Sequence, residues 1–184
     1  MSQTAAFIKR LADLKEGDRS LLRRLAGQPL DSTLQGFDLF TGLWWPLRQQ
    51  SPVAPRRETS WMVAKLFGAF PIPHKQGQTF ASLLGRLEPQ GDNEHHKRPH
   101  FRRFDALLGA SLPTIEPHLR WAMRVIANAV AATRACGVDW AQLLDDLSIW
   151  DRGEEHRRSR DVRDIWAEQY LNSTKCTERK ELPC

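Results

Sequence analysis

Apolar residues recur along this chain at intervals of three and four, and alternation of period two is nearly absent, which predicts helices throughout. Phe7, Leu11 and Leu14 mark a first helix stopped by Gly17. Asp18 is placed to cap a second, whose Leu21, Leu22 and Leu25 face inward before Gly27 and Pro29 end it. Phe37, Phe40 and Trp44 predict a short third helix, followed by a loop marked by Pro46, Pro52 and Pro55. A fourth, from about residue 58 to 69, carries Trp61, Met62 and Leu66 and is broken by Pro71 and Pro73. Phe80, Leu83, Leu84 and Leu87 give a fifth. Beyond a polar stretch at 88–99, Phe101, Phe104, Leu107 and Leu108 give a sixth. Leu119, Met123, Ile126 and Val130 give a long seventh with Gly137 behind it. Asp139 caps an eighth, in which Trp140, Leu143, Leu144 and Leu147 fall at offsets 0, 3, 4 and 7. Val162, Ile165, Trp166 and Tyr170 give the last, and from Asn172 the pattern stops.

Helices this short bury their apolar stripes only against one another. The expected fold is therefore all-α: a helical bundle, or two small packed bundles of about nine short helices. We place an N-terminal bundle at 1–110, a C-terminal bundle at 111–171 and a flexible tail at 172–184. A length of 184 residues fits one domain or two lobes sharing a core. With 41% hydrophobic and 27% charged residues, wholesale disorder is excluded. No apolar run approaches the roughly 20 residues that span a bilayer. Lys9, Arg10, Asp13 and Lys15 interrupt the order a signal peptide needs. The expectation is a cytoplasmic protein without membrane contact. Cys136, Cys176 and Cys184 lack C-x-x-C spacing and read as reduced thiols.

The net charge of +5 raises the prospect of a polyanionic partner. Of 27 basic residues, 20 are arginine, whose planar fork grips phosphate at two points. GC-rich coding inflates arginine as well, so position has to decide. Arg19 and Arg23 lie four apart on the second helix, with Arg24 beside them. Between His95 and Phe104 stand four Lys or Arg and three His but no acid, with Arg102 and Arg103 on the sixth helix. At about 100° per residue, Arg120, Arg124 and Arg134 share an arc of the seventh helix apart from its apolar stripe. Cations so spaced can follow a sugar–phosphate backbone without reading bases. The run Arg157, Arg158, Arg160 has Glu154, Glu155, Asp161 and Asp164 nearby, so salt-bridge lacing is an equal alternative there.

Enzyme signatures are missing. There is no phosphate loop of the G-x-x-x-x-G-K-[ST] kind, no G-x-G-x-x-G and no G-x-S-x-G elbow. Asp92, Glu94, His95, His96 and His100 form one cluster with metal-ligating side chains, but Pro99 breaks any helix joining His96 to His100, and a solvated loop is the better reading. Asp145 and Asp146 point about 100° apart on a helix, which suits a solvated face or salt bridges rather than an acid–base pair. Trp61, Trp140 and Trp166 fit apolar stripes, while Trp44 and Trp45 are open. We expect no catalytic residues, no metal and no cofactor.

Five segments in order carry a resemblance: F-I-K-R-L-A-D-L-K-E-G-D-R-S-L-L-R-R-L-A-G from Phe7 to Gly27, R-P-H-F-R-R-F-D-A-L-L from Arg98 to Leu108, H-L-R-W-A-M-R-V-I from His118 to Ile126, V-D-W-A-Q-L-L-D-D-L-S-I-W from Val138 to Trp150, and W-A-E-Q-Y from Trp166 to Tyr170. Together they resemble the small subunit (CasB family) of the type I-E CRISPR Cascade complex. The resemblance implies two small helical bundles and a non-catalytic subunit of a crRNA-guided antiviral complex. It implies as partners the backbone and large subunits, a second copy of the chain, crRNA, and the displaced strand of the target DNA. That strand would be held without sequence preference, stabilising the R-loop. The family's basic surface corresponds to Arg23 and Arg24, then to Arg86, Arg102, Arg103 and Arg120, with Arg124 on the same helix, and loosely to Arg157 and Arg158. Two other readings stay open: a structural adaptor without nucleic-acid contact, and a metal-dependent hydrolase built on His95, His96 and His100.

Overall fold

The computed structural model describes residues 2–50, 55–89, 99–150 and 161–180. Among these the chain is all-α, as expected, with nine α-helices and one 3-10 turn. They are α1 (Gln3–Ala12), α2 (Glu16–Arg24), α3 (Leu34–Gln50), α4 (Arg57–Ala69), α5 (Phe80–Arg86), α6 (Phe101–Leu108), α7 (Glu116–Ala131), α8 (Trp140–Ser148) and α9 (Val162–Lys180), with the 3-10 turn at Leu30–Ser32. No helix among the described residues is long and apolar enough to cross a membrane.

The apolar spacing placed most elements, and the differences have physical causes. The Ser2 hydroxyl caps α1 by accepting from the Ala5 N–H at 3.1 Å, and the helix ends at Asp13 rather than Gly17. Gly17 and Asp18 lie inside α2, where Glu16 and Asp18 favourably meet the positive end of the helix dipole. Helix α3 runs through Pro46 instead of stopping there. Leu43 and Leu47 are both buried on its inner side, and that burial carries the helix past the missing N–H. Asp139 caps α8 as its spacing predicts, accepting from the Gln142 N–H at 3.0 Å.

Helix α9 corrects the expected tail, since it continues from Asn172 to Lys180. Thr174 is buried there, its hydroxyl donating to Tyr170 O at 2.9 Å. The reason is Gly85: a Cβ on it would sit 2.3 Å from Tyr170 O, so α5 and α9 touch backbone to backbone. Small polar residues suit such a contact and leave no apolar stripe to see.

A single core cluster holds buried residues from both sides of residue 110. Helix α5 packs most extensively on α9, α2 on α4, and α1 on α3 and α8. Trp166 lies between Phe80 and Trp150, with ring centroids 4.8 and 4.9 Å away. Tyr170 stacks on Phe104 at 4.3 Å, and its hydroxyl donates to buried Glu88. The loop after α4 is stitched to the start of α8: Lys75 N–H donates to Val138 O at 2.9 Å and Val138 N–H to Pro73 O at 3.0 Å. Gly137, at φ +142°, passes so close to Pro73 that no side chain fits.

Candidate nucleic-acid interface

The cationic residues divide by what already occupies them. Arg24, Arg102, Arg103 and Arg124 are exposed and Arg120 is half-buried. Four ion pairs occur among the described residues, and none involves these five: Arg23–Glu16, Arg57–Asp31, Lys65–Glu116 and His74–Asp139. Arg23 is the exception within the expected set. It pairs with Glu16 at 3.6 Å and donates from Nε to Gly68 O at 3.3 Å.

Helix α7 joins most of the remainder. At its first turn, Glu116 accepts the Gly27 N–H at 2.9 Å and the Lys65 ammonium at 2.8 Å. This ties the end of α2, three residues beyond Arg24, to α4 and α7. Gly27 sits at φ +83°, and a Cβ there would lie 3.3 Å from Arg120 Nη1, so the Arg120 guanidinium rests beside that turn. One residue on, Trp121 is half-buried. The Arg103 guanidinium lies over its ring, 5.6 Å from the centroid, and His100 meets it edge-on at 5.5 Å. Arg124 follows one turn after Arg120. Thus α6 and α7, which pack together, lay Arg103 over the Trp121 ring on the helix that also carries Arg120 and Arg124, with Arg102 exposed on α6.

Two expected cations stand apart. Arg86 reaches back along α5 to donate to Gln78 Oε1, in the loop that meets α8. Arg134 does not share the arc of Arg120 and Arg124, because α7 ends at Ala131. There Thr133 turns at φ 57° and the Arg134 N–H closes back onto Ala129 O at 2.8 Å, a helix-terminating bond pattern. Arg157 and Arg158 lie outside the described residues, as do Asp92, Glu94, His95 and His96. His100 is described. Its backbone N–H donates to Glu88 Oε1 at 2.9 Å. Burial pushes its pKa below the usual 6.5; Glu88 opposes and Arg103 reinforces the shift.

Three side chains carry more than their spacing suggests. Lys65 is 3% exposed within the apolar run of α4, with Nζ 2.8 Å from Glu116 Oε2, 2.8 Å from Gln28 O and 5.5 Å from the Trp61 ring centroid. A lone lysine between Ala64 and Leu66 was its signal in the sequence. Asp146 is half-buried and makes no ion pair among the described residues: it accepts the indole N–H of Trp166 and the amide of Gln142, each at 2.7 Å. Burial raises its carboxyl pKa above 3.8, and those two hydrogen bonds only partly offset the shift. Trp121 had no signal beyond standing between arginines.

A family model for the CRISPR-associated protein Cse2 matches residues 18–171. The CRISPR-associated protein Cse2 of Thermus thermophilus is 32% identical over 125 residues, which is 68% of this chain and 63% of that relative's own length. The crystal structure of M. ruber CasB superposes with a TM-score of 0.75, covering 99% of both chains at 20% identity. A chain of a CRISPR RNA-guided surveillance complex superposes with a TM-score of 0.68, covering 98% of both at 18% identity. At these identities the two superpositions speak for the fold.

Proposed function

The chain belongs to the CRISPR-associated Cse2 family, and from that premise we propose that it is a non-catalytic subunit of a type I-E CRISPR Cascade complex in antiviral defence. In this role it binds the displaced strand of the target DNA, and crRNA where the assembly presents it, through a basic surface without sequence preference. Its other partners are the backbone and large subunits and a second copy of itself.

The observation that carries this reading is the group of arginines at the α6–α7 face. Arg102, Arg103, Arg120 and Arg124, with Arg24 at the adjoining turn, have no carboxylate in ion-pairing range among the described residues. Cations on a folded surface are ordinarily interspersed with acids. A set left unbalanced can neutralise phosphates and release counterions. Opening a duplex against a guide RNA is a near-balanced exchange, so a few such contacts tip it. Neutralising five phosphates of a single strand gives a log–log salt slope of about −3.5, at roughly 0.7 per phosphate.

The test is the double variant Arg102→Ala, Arg103→Ala. We expect weaker single-stranded DNA binding, a salt slope shallower by about 1.4, and a nearly unchanged melt. Unaltered affinity together with a collapsed melt would make both arginines structural.

The adaptor reading is favoured by one feature. Leu34, Phe37 and Trp45 are 88, 40 and 50% exposed along one side of α3, a protein-contact surface rather than a phosphate track. If neither the purified chain nor its assembled complex is retained on single-stranded DNA or RNA resin, the adaptor reading replaces strand binding.

A further inference from the structure

A buried indole normally spends its N–H on an acceptor, and five of the seven tryptophans here do so. Trp44 donates to Pro55 O, Trp61 to Gln28 O, Trp140 to Ile72 O, Trp150 to Ala110 O and Trp166 to Asp146. Trp45 and Trp121 have no such partner among the described residues. Trp45 is half exposed on α3, away from the arginine group. Trp121 is half-buried, anchored against the core, and stands on α7 between Arg120 and Arg124 with the Arg103 guanidinium laid over its ring. An indole kept partly open, with a guanidinium over its ring and an exposed arginine one turn along its helix, is poorly explained by packing. Its plane, its unspent N–H and a guanidinium beside a stacking surface are what an unpaired base with its own phosphate uses.

We propose that Trp121 is a base-stacking residue for the bound single strand, with Arg103 as its cationic partner and Arg120 and Arg124 holding the flanking phosphates. The inference rests on the strand-binding reading and adds to it a contact that is neither ionic nor sequence-specific. Every base has a π-face, so the stack is indifferent to sequence. The indole also fixes where along the face a nucleotide sits, which arginines alone do not.

Salt separates the two kinds of contact. Trp121→Ala should weaken oligothymidylate binding about five- to 150-fold, the span of base–aromatic stacking on alanine substitution. Its salt slope should stay that of the parent chain, because no cation is lost. Trp121→Phe should restore most of the affinity. Because Trp121→Ala can also disturb packing, the deciding measurement uses the unaltered full chain. It is photo-cross-linked to oligothymidylate carrying 5-bromodeoxyuridine and digested with trypsin, which releases residues 121–124 as one peptide. The adduct is expected on that peptide. Binding with adducts only elsewhere overturns the role of Trp121 and leaves strand binding intact. An absence of binding and of any adduct sinks both.

Discussion

The Lys65–Glu116 pair offers the sharpest test of how this fold is held together, because its two halves should not be equally costly to remove. Lys65 is 3% exposed and the Glu116 side chain 19%. Truncating Glu116 to alanine leaves an ammonium inside the protein with the Trp61 ring beside it and the Gln28 carbonyl as its remaining acceptor, and that carbonyl already accepts the Trp61 indole N–H at 3.1 Å. Orphaning one member of a buried pair costs about 3–5 kcal/mol. The Gly27 N–H also loses its acceptor, which adds about 0.5–1.5 kcal/mol.

Lys65→Met behaves differently. Methionine can follow the same path past Trp61. Glu116 keeps the Gly27 N–H, the positive end of α7 and some water, while Gln28 O keeps its indole donor. No polar group is stranded, so the cost should be at most about half that of Glu116→Ala. Lys65→Met with Glu116→Gln should stay within about 1 kcal/mol of Lys65→Met alone, since glutamine still accepts from Gly27. Equilibrium urea denaturation with a shared m-value gives the three differences. For a chain of this size, 3–5 kcal/mol corresponds to a melting shift of about 6–20 °C. If Lys65→Met proves as damaging as Glu116→Ala, or if Glu116→Ala costs under about 1 kcal/mol, this ranking of buried charge over lost attraction is wrong.

Two further outcomes follow from the packing. Gly85→Ala would ordinarily favour a helix by about 1 kcal/mol. Here the new Cβ meets Tyr170 O at 2.3 Å, so we expect destabilisation of about 1–3 kcal/mol by denaturant melt, and a neutral or stabilised variant would contradict the backbone contact. For Asp146, the raised pKa means the folded state binds its proton more readily than the unfolded state. Its ionised form therefore opposes folding, and this loss sets in as pH rises through the window that begins near 3.8. Asp146→Asn should remove that slope from the pH–stability profile while an amide oxygen still accepts from Trp166; an unchanged slope would assign it to another group.

What could be read beforehand was whatever a stripe of apolar residues encodes. Helices α6 to α8 follow the spacing of Phe104, Met123 and Leu143 because each packs one face on the core, and α4 and α5 follow Trp61 and Leu84 although α4 is buried on nearly every side. The spacing misled where something else governs the backbone. Pro46 is outweighed by burial of Leu43 and Leu47 beside it, and α9 persists past Asn172 through a glycine contact and a buried threonine hydroxyl. Arg134 looked continuous with Arg120 and Arg124 because a helical wheel does not know where a helix ends. Arginine positions were legible, but their partners were not. Arg23 with Glu16, Arg86 with Gln78 and Arg103 with Trp121 depend on distances that no single helix contains in its pattern.

These pairings also fix what can regulate the face. Arginine does not lose its proton in a protein, so the charge contributed by Arg24, Arg102, Arg103, Arg120 and Arg124 is constant across physiological pH. Glu116 is committed to Lys65 and Gly27, and His100, its pKa lowered by burial, stays neutral around neutral pH. Phosphate contacts made by arginines of constant charge respond chiefly to the ions around them, since counterion release is what each contact gains. The stacking proposed for Trp121 would be the component that salt leaves alone. A strand held by both, as proposed, would weaken with ionic strength without falling away entirely.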